Sequence, residues 1–488
     1  MWAATERWNT LEHKMRFSLA VAVALFLAGS SSAQPPKAAD ILAHRYELGQ
    51  RLKRFELEWE KHENADTRKR SLTQIQKLTQ QFFSFQFGEI GRSLDLAGFA
   101  LISDDEPSST RQWAWSLYAV PELRVVDGKA KELTVTINQF YTVKGDVPKS
   151  LEVQLWFTDK HITTIKPDKF PHTVKVPLPP LGEFAGLDRK LYFMVESGKE
   201  IRRTAIGISQ VANLEDRLAA LKKTVATWNV SDTIEKATAR NRAELLAEFV
   251  GGTVPETDFP AADLLANAET MLNGKEFYSL TKHGQFWLSV PLDAEKTAQT
   301  RVFIPKGLDP TKPVPVVVAL HGAGGSENLF FEGYGAGAIV NECRKRGWVL
   351  VATRSGLNFT SAPPVPAILD QLAKRYPLDP KRTFMVGHSM GAMQTIDLVQ
   401  KHPERFAAAA ALGGSGTVKD AKAFAALPVF VGVGDKDFAL AGARALNKAL
   451  TASGAKNVTY KEYAGIEHMV IVREALADVF AVFDKATK

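Results

Sequence analysis

At 488 residues, 45% hydrophobic and 24% charged, the chain is long enough for two or three globular domains, and its composition excludes a disordered or fibrous protein. The net charge of +7 is dispersed among acidic residues. Its densest basic cluster, Arg68-Lys69-Arg70, is too short for a nucleic-acid patch and is expected to be a solvated helix face. A single cysteine, Cys343, excludes an intrachain disulfide, and its helical surroundings mark it as a packing residue.

The chain begins with an address. Lys14 and Arg16 precede an apolar run from Phe17 to Ala28, and the small residues Gly29 to Ala33 follow. That order is expected for a secretory signal peptide over 1–33, with Met15 as the natural start and cleavage after Ala33. The run is short for a bilayer span, and no cysteine follows it to carry a lipid, so no stable membrane anchor is expected. Export without disulfides suits a secreted or periplasmic bacterial protein.

Residues 38–85 carry apolar positions at helical spacing: Leu42, Tyr46, Leu48, Leu52, Phe55 and Trp59. The stretch from 86 to 110 gives no clear pattern. From 111 to 209 the period is two, as in Leu133, Val135, Ile137 and in Leu151, Val153, Leu155, Phe157. Further strands are expected at 172–178, 190–196 and 203–209, and the absence of a repeat argues against a propeller. Helical patterns return at 213–226 and 231–249. A linker at 251–258 leads to a helix expected to be capped by Asp258. Residues 38–255 thus form an expected N-terminal domain of helices plus an antiparallel, sandwich-like β part. It pairs no nucleophile with a base and spaces no metal ligands. Trp113, Trp115 and Trp156 suit its core, with contact to carbohydrate as the alternative.

From 259 to 488 strands and helices alternate. Apolar strands are expected at 286–290, 300–305, 314–320, 348–353, 382–387, 406–412, 427–433 and 458–463. Amphipathic helices are expected at 335–346, 364–376, 390–402, 439–453 and 469–486. Two antiparallel-type strands followed by βαβ units predict a largely parallel sheet with helices on both faces.

Gly387-His-Ser-Met-Gly391 closes the fifth of these strands and opens a helix, which places the Ser389 hydroxyl on a sharp strand-to-helix turn. The earlier strand at 314–320 runs into His321-Gly-Ala-Gly-Gly325, a loop able to turn N–H groups toward an oxyanion, with the Met390 N–H as second donor. Only His402 and His468 follow Ser389. His402 ends the helix after the turn, so His468, in the loop after the last strand, is the expected base. The acid comes from Gly432-Val-Gly-Asp-Lys-Asp437. Asp435, first after the strand, is preferred and Asp437 is held in reserve. The order Ser389, Asp435, His468 differs from the chymotrypsin and subtilisin orders.

On these residues, together with Tyr376-Pro-Leu-Asp-Pro-Lys-Arg382, residues 276–488 resemble the α/β-hydrolase superfamily. They look most like secreted carboxylesterases of the polyhydroxybutyrate depolymerase and feruloyl or acetylxylan esterase type. The resemblance implies cleavage of a small-molecule or polymer-attached ester through an acyl-enzyme. Ser389 would be the nucleophile, His468 the base, Asp435 the orienting acid, and Ala323 and Met390 the oxyanion donors, with no metal or organic cofactor. A peptidase of the prolyl-oligopeptidase kind and a binding protein with a relic hydrolase domain are the rival readings. The intervals from Ser389 to Asp435 and on to His468 leave no room for a helical lid. An open site for acetyl to butyryl esters is therefore expected, with Phe359 a candidate for the acyl pocket.

Overall fold

The computed structural model describes residues 38–182, 188–229, 232–274, 276–293, 296–356 and 362–486. The expected leader at 1–33 and Phe359 lie outside the described residues. Among the described residues five helices come first: α1 (Ala38–Lys61), α2 (Ala65–Ile75), α3 (Leu78–Phe83), α4 (Phe87–Ile102) and α5 (Ser109–Ser116). Helix α4 fills part of the stretch that the sequence pattern left unassigned. Phe87, Ile90, Leu94, Ala97 and Leu101 lie at helical spacing and are buried, but interspersed glycines blur the pattern. Gly91 is required by packing, since a Cβ there would sit 2.3 Å from the Phe140 ring.

Two sheets follow. A three-stranded antiparallel sheet pairs β1 (Leu117–Pro121), β3 (Glu132–Gln139) and β6 (His172–Pro177), with β3 central. A five-stranded sheet runs from β2 (Val125–Asp127) through β8 (Glu200–Val211), β7 (Asp188–Ser197) and β4 (Leu151–Phe157) to β5 (Lys160–Ile165). Alternation sets its inner face: Leu151, Val153, Leu155 and Phe157 are buried, while the residues between them are half-buried. Trp113 is in the core, and Trp115 and Trp156 are half-buried.

Helices α6 (Leu214–Val225), α7 (Ile234–Val250) and α8 (Ala261–Met271) lead to the second half. Asp258 does not cap α8. Its carboxylate accepts the Tyr46 hydroxyl at 2.7 Å and the Gly207 N–H at 2.9 Å, and pairs with Lys190. The first N–H groups of α8 are met from β7 and β8 instead. Ala262 and Asp263 donate to Asp188, and Ala261 donates to Ser209. A local motif was replaced by a cap from a distant strand, which only tertiary packing can supply.

The C-terminal half contains an eight-stranded sheet in the order β9 (Gly284–Pro291), β10 (Thr297–Ile304), β12 (Val349–Thr353), β11 (Val314–Leu320), β13 (Leu378–His388), β14 (Ala408–Leu412), β15 (Val429–Gly434) and β16 (Val458–Tyr463), written across the sheet. β9, β10 and β12 pair antiparallel, and every pairing from β12 to β16 is parallel. The connecting helices are α9 (Ala338–Arg346), α10 (Val365–Ala373), α11 (Met390–Lys401), α12 (Ala421–Phe424), α13 (Leu440–Ala452) and α14 (Ile471–Ala486). The expected sheet, covered on both faces and with the serine turn after its fifth strand, is present.

The central strands of this sheet split their side chains between two cores. Val317, Ala319, Phe384 and Val386 join one that continues into α14 and the N-terminal helices and strands. Val316, Val318, Leu320 and Met385 join the other, with α6 to α8, α10, α11 and α13. Cys343 is fully buried in the first core, as its helical setting suggests. Four consecutive alanines in β14 keep the centre thin, so that α11 and α14 press against it from opposite sides.

Candidate active site

Strands β11 and β13 are neighbours, yet their crossover helices leave on opposite faces of the sheet. A crevice therefore opens at their carboxyl ends, and the Gly-rich loop and the serine turn meet there. Ser389 has φ 56° and ψ −116°, a strained conformation for a residue with a side chain. The flanking glycines make the turn possible. A Cβ on Gly387 would lie 2.0 Å from the Gly391 carbonyl oxygen, and one on Gly391 would lie 2.0 Å from that of Leu320. The turn is anchored by the Ser389 N–H, which donates to the Leu412 carbonyl at 2.9 Å.

His468 is buried in the loop between β16 and α14, and its Nδ1 lies 2.8 Å from Asp437 Oδ1. The expectation for Asp435 is corrected by this contact. Asp435 accepts the Gly465 N–H at 2.8 Å and faces solvent in part, so it shapes the histidine loop without touching the imidazole. Asp437 lies one tight turn further on, fully buried, and accepts the Ala439 N–H at 2.7 Å. The turn from Gly434 to Asp437 folds back on itself, and that reversal carries the second aspartate inward. The exposed ring of Phe438 covers His468, with centroids 4.4 Å apart.

Ala323 sits in the Gly-rich loop and shares a cavity with Ser389 and His468. Met390 begins α11, where the first N–H groups have no partner within the helix. The loop is braced from behind by two histidines. His321 Nδ1–H donates to the Gly322 carbonyl at 2.8 Å and its Nε2 accepts the Ser355 N–H at 3.1 Å. Burial pushes its pKa down to about 4, so the ring is neutral and the tautomer is set by its partners.

His388, the residue before the serine, was not singled out by sequence reasoning. Its Nδ1 accepts the Tyr334 hydroxyl at 2.6 Å, and its Nε2–H donates to the His468 carbonyl at 2.9 Å. The same Tyr334 oxygen accepts the Gly322 N–H at 3.3 Å. Burial holds the His388 pKa well below the ordinary histidine value. One chain of hydrogen bonds therefore joins the Gly-rich loop to the backbone of His468.

Glu467, also unforeseen, fastens the histidine loop to the N-terminal helices. Its carboxylate accepts the Thr79 N–H at 3.1 Å and hydroxyl, and the Met469 N–H at 2.7 Å. Burial raises its pKa, opposed by these hydrogen bonds. A second fastening is made by Arg45, which donates to the Gly324 carbonyl and lies 3.9 Å from Glu256.

The site is more enclosed than the short intervals suggested. It is a cavity of about 180 Å³ between the Gly-rich loop and the N-terminal helices. Leu48 and Leu52 of α1, Leu78 and Phe82 of α3, and Ile90 and Leu94 of α4 form its far wall. The cover comes from the start of the chain, so counting residues between strands could not reveal it. Among the described residues no cluster of three or more His, Cys, Asp or Glu side chains could hold a metal ion, and no helix is long and apolar enough to cross a membrane.

Residues 315–453 match the alpha/beta hydrolase fold family. No curated protein matches the chain. Among solved structures it is similar to a thermostable esterase, at 17% identity and a TM-score of 0.38, over 76% of this chain and 96% of that one. It is also similar to the fluorophosphonate-binding serine hydrolase F of Staphylococcus aureus, at 15% identity and a TM-score of 0.35, over 42% and 98%. A feruloyl esterase module from Clostridium thermocellum gives 16% identity and a TM-score of 0.35, over 42% and 91%.

Proposed function

With the C-terminal half an alpha/beta-hydrolase domain, we propose that the protein is a serine esterase that cleaves carboxylic esters through an acyl-enzyme on Ser389. The observation that carries this is the buried His468–Asp437 pair at 2.8 Å, set in the same crevice as a serine in a strained strand-to-helix turn. His468 Nε2 takes the Oγ proton as Oγ attacks the ester carbonyl, and Asp437 holds Nδ1–H and stabilises the imidazolium. The Ala323 and Met390 N–H groups receive the charge that develops on the carbonyl oxygen. The alcohol leaves with the proton from His468. Water, deprotonated by the same imidazole, then releases the acid.

Labelling with a fluorophosphonate probe followed by peptide mapping tests the nucleophile, and turnover of p-nitrophenyl esters tests the reaction. Ser389 should be the labelled residue, and Ser389→Ala should remove both labelling and turnover. Faster cleavage of peptide anilides than of any ester would overturn the esterase reading.

The proposal extends to export, supported by the order of basic, apolar and small residues from Lys14 to Ala33. Protein recovered from outside a bacterial host should begin at Gln34. An intact Met1 or Met15 on exported protein would contradict it.

A further inference from the structure

We propose that the N-terminal helices supply a hydrocarbon subsite, and that one arm of the ester is an apolar chain of several carbons. This deepens the esterase reading and rests on it. The cavity that reaches Ser389 is closed on its far side by leucines, an isoleucine and phenylalanines from α1, α3 and α4. Leu48, Leu52, Leu78 and Leu94 are nearly inaccessible to solvent, so they are held in place by the core behind them. Phe82 lies on the Gly-rich loop itself, and a Cβ on Gly324 would stand 3.6 Å from its ring edge. The wall is fastened at two points beside the chemistry, by Thr79 on Glu467 and by Arg45 on the Gly324 carbonyl. It is therefore a fixed part of the site and not a detached neighbour.

Volume admits a chain. A cavity of about 180 Å³ is many times the roughly 10–15 Å³ that admits one water, so it accommodates a chain of several carbons. An acetyl group leaves most of that space and its apolar lining unused. Four further methylenes transferred from water into this lining are worth up to about two hundredfold in binding. Polar side chains also line the cavity, among them Arg45, Gln50, Lys53 and Glu256, but a hydroxyl, amide or sugar group set against the leucines themselves would lose its water without a partner there.

The test uses the full chain and two substrate series at concentrations below their solubility limits. One is p-nitrophenyl acetate to decanoate, which varies the acyl arm. The other is ethyl to octyl acetate, which varies the alcohol arm. In one series kcat/KM should rise at least tenfold from two carbons to a maximum at a longer chain. Leu48→Trp, which fills the cavity, should lower the six-carbon to two-carbon ratio at least tenfold, and Phe82→Ala should move the maximum to longer chains. Fluorophosphonate labelling of each variant reports that Ser389 is still assembled. Calorimetry on Ser389→Ala protein separates this idea from the esterase reading, because 1-hexanol should bind at least tenfold more tightly than ethanol without any turnover. A flat or falling length dependence in both series, unchanged by both variants, overturns the subsite. Equal binding of the two alcohols also overturns it. Absence of turnover on every ester with preferential hexanol binding would instead reject the esterase chemistry and keep the apolar subsite.

Discussion

Two aspartates lie two positions apart in one loop, and only one touches the imidazole. Asp437 makes the contact with His468, while Asp435 ties down Gly465. Asp437→Asn should therefore lower kcat by about 10⁴ with little change in melting temperature, by analogy with triad aspartates elsewhere. Asp435→Asn should lower it less than roughly tenfold, since its contact is one hydrogen bond at the edge of the loop. Steady-state kinetics with thermal melts decides between them, and reversed outcomes would reject the pairing. His321 gives a second prediction. Its pKa is held near 4 by burial, below the ordinary 6.5. As pH falls from 6.5 to 4 the unfolded chain takes up a proton that the folded chain refuses. The stability from this group is thus complete above 6.5 and lost toward 4, up to roughly 3 kcal/mol. His388 is depressed in the same direction. Melting temperature should drop over this window, and His321→Gln, though less stable at pH 7, should drop less.

Helix α3 and the histidine loop are joined by one buried carboxylate, so they behave as one element. Glu467→Gln puts an amide N–H against a group that already donates, either Thr79 or Met469, and leaves a buried donor without an acceptor. A loss of about 1–3 kcal/mol is expected. Because His468 is the next residue, kcat should also fall by roughly tenfold or more, as small misplacements of a catalytic group do. Thr79→Val keeps the backbone N–H and removes only the hydroxyl, so its effect should be smaller in both readouts. A Glu467→Gln protein with unchanged kcat would show that the clasp is structural alone.

The N-terminal part and the hydrolase sheet share one hydrophobic core, and buried charges lock the early elements together. Arg51 is completely buried between Glu47 and Asp95, and Arg202 of β8 donates to Glu47 at 2.9 Å. Tyr141 adds a hydroxyl donated to Asp95 at 2.9 Å. Removing one partner leaves an uncompensated buried charge, so Asp95→Asn should cost about 3–5 kcal/mol. A shared core implies cooperative unfolding. Scanning calorimetry of the full chain should show one transition, shifted as a whole to lower temperature in Asp95→Asn. Two separated transitions would mean that the wall of the site melts independently of its chemistry.

The sequence alone determined the strand and helix order from 284 onward, the serine turn, the Gly-rich loop and the choice of His468 as candidate base. These are local signals: Gly387 and Gly391 flank one serine, apolar runs report burial on both faces, and only two histidines follow Ser389. The choice of acid was left open by the same signals, because both aspartates follow β15 and only the backward turn after Gly434 decides which one points inward. The cap of α8 came from Asp188, some seventy residues away in the chain, so the local reading of Asp258 failed. The Tyr334–His388 brace, the Glu467–Thr79 clasp and the apolar wall all join residues far apart in sequence. Periodicity marks Leu48 and Leu52 as buried but is silent on what they are buried against. Only the packing of the first helices over the carboxyl ends of β11 and β13 turns an exposed crevice into a lined cavity.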